Sequence, residues 1–350
     1  MKSSLLKLGL VALLLTSALS VVAEEFGEWG RLNLGYRAGL NISANFSGLG
    51  GFAPTGNPGP LGRIDAPPGT IVRRYDDGFI GIDVSGNAGN MTTYWGYNNP
   101  SQVSGNNLLM HSSSSSAITS SGNMDGDPQH GFELSYAAPL GGGEKWRWGI
   151  EVAFNWTDIN IIDSRPLSGN VSILTHAFSR NGVPPDQAPP PPYTGPFDGP
   201  GQFLSDVATA APGSTINGGV SIIGTRKIEA SLYGFRLGPR AEFALCKRCS
   251  LELGGGLSFG VIDSEFSFNE SVTISGLGTQ RHRGFDQSND LLYGGYVRGQ
   301  VNVQLWKKLS WFGGVEFNDM GTFEQTAAGK NAQLDLSAAV YLSSGLGFTF

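Results

Sequence analysis

The chain has 350 residues, with 23 Lys and Arg against 29 Asp and Glu, and only 15% of its residues are charged. This composition offers no basic excess to neutralise phosphates, which argues against a nucleic-acid-binding protein. Hydrophobic residues make up 40% of the chain and aromatic residues 11%, a content too apolar for a disordered protein. Two cysteines are too few for a scaffold built on disulfides. These exclusions leave a folded domain that is unusually rich in glycine, with 52 such residues.

Residues 1–23 have the features of an export signal. Two lysines precede an apolar run over 8–15, and the small residues that end at Ala23 suit a signal-peptidase site. The run is too short for a stable membrane anchor, and no cysteine follows it that a lipid could modify. We therefore expect a cleaved signal peptide and an exported mature chain over 24–350.

Alternation of apolar and polar residues is the main structural signal in the mature chain. From 32 to 46 every even-numbered residue is apolar, a run far longer than the ordinary strand of about five to six residues. Seven further segments show related patterns: 132–138, 146–156, 228–245, 251–261, 291–305, 309–317 and 332–350. In 228–245 the apolar residues shift from even to odd positions near Leu232, which predicts a β-bulge there.

The connections between these segments alternate between short turns and long polar loops. The short turns are 139–145, 246–249 and 306–308, and the long connections are 47–128, 161–225, 269–289 and 321–331. This alternation is the layout of an outer-membrane barrel, with tight periplasmic turns and long extracellular loops. Aromatic residues expected in the girdle beside the long loops are Phe46, Phe132, Trp156, Tyr293 and Phe317. The patterns predict an all-β, eight-stranded antiparallel transmembrane β-barrel, with ten strands as the alternative if residues 92–97 add to its wall.

The last six residues carry a further signal. Gly345, Leu346, Phe348 and Phe350 belong to an alternating segment that ends on a terminal Phe with aromatic residues on one face. This ending resembles the C-terminal signal by which bacterial outer-membrane barrels are recognised for assembly. With the export signal and the eight segments, the chain resembles the small outer-membrane β-barrel family of the OmpA/OmpX type. The resemblance covers the strands and the chain end, and it does not cover the two large loops.

The resemblance implies a location in the bacterial outer membrane. It also implies contact with outer-membrane lipid and lipopolysaccharide, and recognition by the barrel-assembly machinery through the C-terminal strand. Function in such barrels usually lies on the outward loops, so an unknown extracellular partner is expected there.

If the apolar positions face lipid, the positions between them face the barrel lumen. These positions carry six arginines and seven carboxylates: Arg31, Arg37, Arg147, Arg236, Arg240, Arg298, Glu133, Glu151, Glu229, Glu242, Glu252, Glu316 and Asp335. Because a guanidinium can pair two carboxylates at once, we expect a fixed ion-pair network. An eight-stranded barrel is only wide enough for its own side chains, so the network predicts a plugged lumen. The alternative is a small gated channel for polar solutes, in which the pairs exchange partners.

The loops contain weaker candidates. The aromatic residues over 93–97 are interpreted as packing a loop onto the barrel mouth, with stacking on a sugar or on a partner's side chains as the alternative. The serine run over 112–116 is interpreted as flexible filler. Asp76, Asp77 and Asp83 fit no calcium-loop spacing, so neither a metal site nor a cofactor is predicted.

Two further motifs concern redox chemistry and catalysis. Cys246 and Cys249 lie in a short periplasmic turn, where an oxidising compartment favours a turn-closing disulfide over a redox site. His130, near Asp127 and Asp158, is the strongest catalytic candidate, as the centre of an envelope lipid- or peptide-modifying enzyme. No constellation has the spacing of a nucleophile–base pair, so we predict a structural or surface-interaction barrel rather than an enzyme.

Overall fold

The computed structural model describes residues 30–64, 71–83, 88–115, 120–182, 187–197 and 200–350. The expected export signal over 1–23 lies outside these described residues. Almost all of the regular structure in these residues is antiparallel β, and a short 3-10 helix lies at Pro100–Gln102. In the described part of the chain, no helix is long and apolar enough to cross a membrane.

Eight long strands form a closed antiparallel ring. In chain order they are β1 Arg31–Leu40, β2 Gln129–Gly142, β3 Trp146–Asp163, β4 Ser214–Ala244, β5 Cys249–Ile274, β6 Gly278–Gln304, β7 Leu309–Asp319 and β8 Ala339–Thr349. Each strand pairs with its neighbours in this order, and β1 pairs with β8 to close the ring. Trp95–Tyr97, the segment of the ten-strand alternative, pairs instead in a separate sheet with Gly78–Gly81. It therefore adds no strand to the ring.

The half of the ring nearest the short turns has apolar residues outside and polar residues inside. The outward side chains include Leu34, Leu134, Ile150, Val152, Leu237, Leu253, Leu257, Val297, Val301, Val315, Leu342 and Leu346. We call this surface the apolar belt. We call the edge of the belt far from the short turns its upper rim and the opposite edge its lower rim. Along the upper rim, four adjacent strands place aromatic residues directly opposite one another, in the row Tyr36, Phe132, Trp156 and Tyr233. Trp146, Trp148, Trp306, Trp311 and Phe348 are exposed near the short turns at its lower rim.

The bulge predicted near Leu232 is wrong. The pairing of β4 with β3 is continuous from Arg226 to Phe243, so every even-numbered residue of this stretch faces inward. Ile228 and Leu232 are apolar because they lie above the belt, where they are buried in an apolar core inside the wall. Tyr233 and the odd-numbered residues after it are apolar because they belong to the belt. The apolar side chains change faces along the strand while the strand keeps its register.

The inner core above the belt is completed by a four-stranded sheet. Its strands, in pairing order, are Thr322–Ala327, Lys330–Asp335, Ser43–Ser47 and Asn123–Asp125. The wall side of this core is formed by inward residues of β3 to β6, such as Ile159, Phe266 and Leu292. The connection predicted over 269–289 is instead a tight turn, since β5 runs to Ile274 and β6 begins at Gly278.

Two predicted strands are broken where the chain enters this sheet. The run from 32 to 46 turns at Asn41, which has φ +58°, and Asp127 accepts hydrogen bonds from the backbone N–H groups of Asn41 and Ile42. Phe46 is therefore fully buried in the inner core, and its placement in an aromatic girdle is wrong. The segment 332–350 is likewise divided between the four-stranded sheet and β8.

The regions predicted as loops 47–128 and 161–225 contain folded structure. We call the described residues within 48–122 and 164–213 the outer lobe. Its longer strands extend the wall, because Leu167–Ser179 pairs with the first part of β4 and Asn107–Ser114 pairs with Leu167–Ser179. Ser112 and Ser113 are buried in the latter pairing, so this part of the serine run is not flexible filler.

The remaining strands of the outer lobe are short: Val72–Tyr75, Gly78–Gly81, Met91–Thr92, Trp95–Tyr97, Val103–Ser104, Tyr193–Thr194, Leu204–Ser205 and Thr209–Ala210. They enclose a second apolar core that includes Ile80, Trp95, Met110, Phe178 and Leu204. The outer lobe is therefore a folded unit with its own core.

Candidate functional sites in the lumen and the outer lobe

Six buried charged side chains meet at the level of the belt and form what we call the mid-lumen cluster. Its members are Arg37 on β1, Glu133 on β2, Glu151 on β3, Arg236 on β4, Arg298 on β6 and Glu316 on β7. Each side chain is 4% exposed or less. The alternation of each strand places these residues inward, as the sequence pattern predicted. Six of the eight strands thus contribute one charge each to a single layer.

Glu133 is the hub of the mid-lumen cluster. Its Oε2 lies 2.7 Å from Arg236 Nη2 and 3.2 Å from Arg37 Nη1, and its Oε1 lies 2.9 Å from Arg298 Nη2. Arg298 Nη1 reaches Glu151 Oε1 at 3.0 Å. Every guanidinium in this layer contacts at least two carboxylates, which is the geometry that a planar fork favours.

The other two strands also contribute to this layer. From β8, the Tyr341 ring lies under the Arg37 guanidinium, with 3.5 Å between Cζ and the ring centroid. From β5, the Ser258 hydroxyl donates to Asn318 Oδ1 at 2.9 Å, and Asn318 Nδ2 donates to Glu316. All eight strands therefore contribute side chains to a layer with equal numbers of arginines and carboxylates.

A second group, the lower cluster, lies between this layer and the short turns. It consists of Arg31, Arg240, Glu242 and Glu252. Arg240 Nη1 lies 2.7 Å from Glu252 Oε2, and Arg31 Nη1 lies 3.2 Å from Glu242 Oε1. Arg31 also pairs with Glu252. The two arginines and two carboxylates again balance.

Three residues predicted for the ion-pair network lie outside the mid-lumen and lower clusters. Arg147 is exposed at the short-turn end, opposite Glu242 in the pairing of β3 with β4. Asp335 lies in the four-stranded sheet, where it accepts hydrogen bonds from the backbone and hydroxyl of Ser337. Glu229 is on the outer surface of the wall and pairs with Lys227 at 2.6 Å. The placements of Asp335 and Glu229 in the lumen were wrong because both residues lie above the belt.

A third charged group, which was not predicted from the sequence, lies in the inner core. Arg226 Nη1 lies 3.0 Å from Asp163 Oδ2, and both side chains are fully buried. Glu270, also fully buried, lies 2.5 Å from Lys330 Nζ and 3.6 Å from Arg226 Nε. Burial alone would raise the pKa of Asp163, but hydrogen bonds from Arg165 and the nearby positive charges hold it below its ordinary value. We call these residues the upper cluster. Asp163, Glu270 and Lys330 had been assigned to long connections, and Arg226 lay just before a predicted strand. A longer β3 with the same alternation would have revealed Asp163.

The acidic residues of the outer lobe act as hydrogen-bond acceptors within it. Asp77 Oδ2 lies 2.5 Å from His111 Nδ1, and Asp77 Oδ1 accepts from the His111 backbone N–H at 2.9 Å. Asp76 accepts from the Ser113 backbone N–H and the Thr55 hydroxyl, each at 2.6 Å. The hydrogen bond with Asp77 raises the pKa of His111, against the effect of burial. Among the described residues, no group of three or more His, Cys, Asp or Glu is arranged to hold a metal ion.

The aromatic residues of the outer lobe form two groups. Trp95 and Tyr97 are each 2% exposed, so they pack the lobe's own core and not the barrel mouth as predicted. Phe79, Tyr94 and Phe197 contact one another at the surface, with ring centroids 4.9 and 5.3 Å apart, and Phe197 is 55% exposed. We call these three residues the aromatic patch. It is the part of the lobe whose chemistry suits stacking on a partner.

His130, the catalytic candidate from the sequence, lies near the start of β2. Its ring bonds the Tyr36 hydroxyl on the outer surface of the wall. Asp127 is engaged by the backbone at the break between β1 and the four-stranded sheet. Asp158 is opposite His130 in the pairing of β2 with β3.

Cys246 and Cys249 are both free thiols, so the predicted disulfide is not formed in this structure. Backbone hydrogen bonds between these two residues already close the turn. A hydrogen bond with the Cys249 thiol, together with backbone N–H groups, lowers the pKa of Cys246.

No family model and no curated protein matches the chain. Among solved structures, it is similar to the attachment invasion locus protein Ail of Yersinia pestis, with 7% identity and a TM-score of 0.29 over 92% of this chain and 100% of that one. It is also similar to outer membrane protease OmpT from Escherichia coli, with 8% identity and a TM-score of 0.33 over 93% and 98% of the two chains. Neisserial surface protein A gives 10% identity and a TM-score of 0.23 over 70% and 94%. The description of the fold rests on the strand pairing.

Proposed function

We propose that this protein is an eight-stranded bacterial outer-membrane β-barrel with a closed lumen, and that it presents the outer lobe as a surface-interaction module. The mid-lumen cluster is the observation that carries the proposal. Passage of a solute would require separation of buried ion pairs, and loss of one partner from such a pair costs about 3–5 kcal/mol. The lumen of a ring of eight strands is otherwise filled by its own side chains.

The apolar belt supports the membrane assignment. On β3 the belt runs from Trp146 to Trp156, which matches the length of about 9–11 residues that a tilted strand needs to cross a bilayer. Aromatic residues mark both rims, as in the girdles of outer-membrane barrels. Closure of the ring pairs the backbone groups that lipid could not solvate.

The proposal also includes an orientation of the protein in the outer membrane. Residues 1–23 direct export and are removed, the short turns face the periplasm, and the outer lobe faces outwards. Membrane lipid and lipopolysaccharide cover the belt. The C-terminal strand β8 is recognised by the assembly machinery; Leu346, Phe348 and Phe350 are 51%, 44% and 54% exposed, which leaves their side chains accessible.

The role that we propose is non-catalytic. His130 is engaged by Tyr36, and Asp127 is engaged by the backbone, so neither is arranged as part of a nucleophile–base pair. The aromatic patch is the proposed contact for an extracellular partner, either a sugar or the side chains of a protein. The double substitution Tyr94→Ala/Phe197→Ala is expected to abolish binding of the extracellular partner, while the barrel still folds.

Single-channel recording tests the closed lumen. Refolded residues 24–350 in a planar bilayer should be silent, whereas Arg236→Ala should show openings or fail to insert. Glu229→Ala, which removes a charge from the outer wall, is the matched control and should also be silent. Discrete, reproducible openings of the unmodified protein would contradict the closed lumen and support the gated channel.

A further inference from the structure

A cavity of about 530 Å³ opens at the short-turn end of the barrel, below the lower cluster. We call it the vestibule. Its walls come from the turns between β2 and β3, β4 and β5, and β6 and β7, and from the ends of β1 and β8. It falls within the range of about 300–1,000 Å³ that is typical of ligand sites.

The vestibule is strongly basic. Eight Lys and Arg side chains line it against two Glu. Five of the bases are exposed on the turns themselves: Lys145, Lys247, Arg248, Lys307 and Lys308. Within the described part of the chain, none of these five forms a salt bridge. Since the chain as a whole has a net charge of −6, this concentration of positive charge is a local feature.

The inner end of the vestibule contains an unsatisfied donor. Asn302 lines the cavity and is 3% exposed, and its Nδ2 has no hydrogen-bond partner. A buried amide donor without a partner costs free energy unless a ligand or water accepts from it. Arg31 and Arg240 line the same cavity, and their guanidinium groups pair with Glu252. The site therefore combines buried donors at its inner end with exposed cations at its mouth.

We propose that the vestibule binds phosphate-bearing anions, either a soluble polyphosphate or the phosphate headgroup of an anionic phospholipid. One exposed ion pair between a Lys and a carboxylate contributes only about 0–1 kcal/mol of binding free energy. A site made of several exposed cations therefore favours a ligand that contacts several of them at once. Phosphate groups carry more charge and more acceptor oxygens, and both Lys and Arg recognise them. The closed layer above the vestibule would hold such a ligand at the mouth and prevent its passage.

Titration calorimetry with pyrophosphate tests the soluble source. The protein is residues 24–350 refolded in an uncharged maltoside detergent at low salt. Two double variants, Lys247→Gln/Arg248→Gln and Lys307→Gln/Lys308→Gln, each remove two cations from one turn. The control is Arg281→Gln/Arg283→Gln, which removes two exposed cations from the far end of the wall. Each vestibule variant should bind about five- to tenfold more weakly, whereas the control should change less than twofold.

Lipid retention tests the headgroup source. The same proteins are exchanged from nanodiscs of phosphatidylcholine and phosphatidylglycerol into detergent, and the retained lipids are quantified by mass spectrometry. Retention of phosphatidylglycerol that falls in the vestibule variants and not in the control supports the headgroup as ligand. Pyrophosphate binding that falls in the same way supports the soluble source.

The proposal is overturned if neither probe binds, or if the control variant weakens binding as much as the vestibule variants do. Refolding of each variant is checked by its circular dichroism and its migration shift on heating. The inference goes beyond the proposed function, and binding at the mouth can be measured whether or not the lumen conducts. Failure of the closed-lumen proposal would therefore be distinguishable from failure of this one.

Discussion

Arg236 Nη2 lies 2.7 Å from Glu133 Oε2 although β3 separates their strands in the ring. The pair is formed by side chains that reach over the neighbouring strand into the centre of the lumen, where Arg236 is 0% and Glu133 2% exposed. Contacts of this kind tie non-adjacent strands together. The mid-lumen cluster therefore links strands that are not adjacent in the ring, and we expect it to stabilise the barrel.

This geometry predicts a large loss of stability for Arg236→Ala. The substitution leaves Glu133 and Glu316 with fewer partners in a site that water does not reach, which is expected to cost about 3–5 kcal/mol of unfolding free energy. Urea unfolding in detergent, followed by tryptophan fluorescence, measures the change. Glu229→Ala should cost less than about 1 kcal/mol, because its pair with Lys227 is partly exposed. Equal losses of unfolding free energy in the two variants would contradict this stabilising role of the mid-lumen cluster.

The upper cluster predicts a pH dependence through Asp163. Because its pKa is lowered in the folded state, ionised Asp163 contributes stability above the unfolded value of about 3.9. That contribution is lost as the pH falls through the lower folded-state pKa. Asp163→Asn should therefore be less stable than the unmodified protein at pH 7, and the two should converge in acid. Unfolding midpoints measured between pH 7 and pH 2 check this, and a pH-independent difference would contradict it.

The belt and most of the lumen could be predicted from the sequence because alternation is a local property. Once one residue of a strand faces lipid, the face of every other residue follows. Thus Arg37, Glu133 and Glu316 were predicted to face inward, and the structure brings them together in one layer.

The inner core could not be predicted in the same way. Alternation identifies the apolar face of a strand, but it does not tell whether that face meets lipid or a core. Phe46 and Leu232 lie in an apolar core whose other members, such as Phe323 and Leu334, come from distant parts of the chain. The strand from 32 to 46 looks continuous because the break at Asn41 preserves the spacing of its apolar residues.

In the outer lobe, the Asp77–His111 pair predicts a pH dependence of stability that is opposite in sign to that of Asp163. The folded-state pKa of His111 is raised, first by the hydrogen bond with Asp77 and also by the charges of Asp77 and Asp76. Protonated His111 therefore contributes stability below the unfolded pKa of about 6.5, and this is lost as the pH rises through the higher folded-state value. Hydrogen exchange of strand Asn107–Ser114 measures the effect. His111→Gln should exchange faster than the unmodified protein at pH 6 and at a similar rate at pH 9.

The control for that experiment is His130→Gln, which removes a histidine from the wall and leaves the outer lobe intact. It should not alter protection of Asn107–Ser114 at any pH. Faster exchange in His130→Gln, or a His111→Gln effect that grows with pH, would contradict the role assigned to the Asp77–His111 pair.

The short turn predicts unequal reactivity of the two thiols. Cys246 has a lowered pKa because the Cys249 thiol and backbone N–H groups hydrogen-bond its sulfur, whereas the same coupling raises the pKa of Cys249. The thiolate is the reactive form, so limiting iodoacetamide at neutral pH should modify Cys246 first. Peptide mapping of the partly alkylated protein measures the ratio, with the fully unfolded protein as the reference in which both thiols react alike. Equal modification of the two thiols in the folded protein would show that the hydrogen bond between them does not persist in solution. Preferential modification of Cys249 would show that donor and acceptor are the reverse of those assigned here.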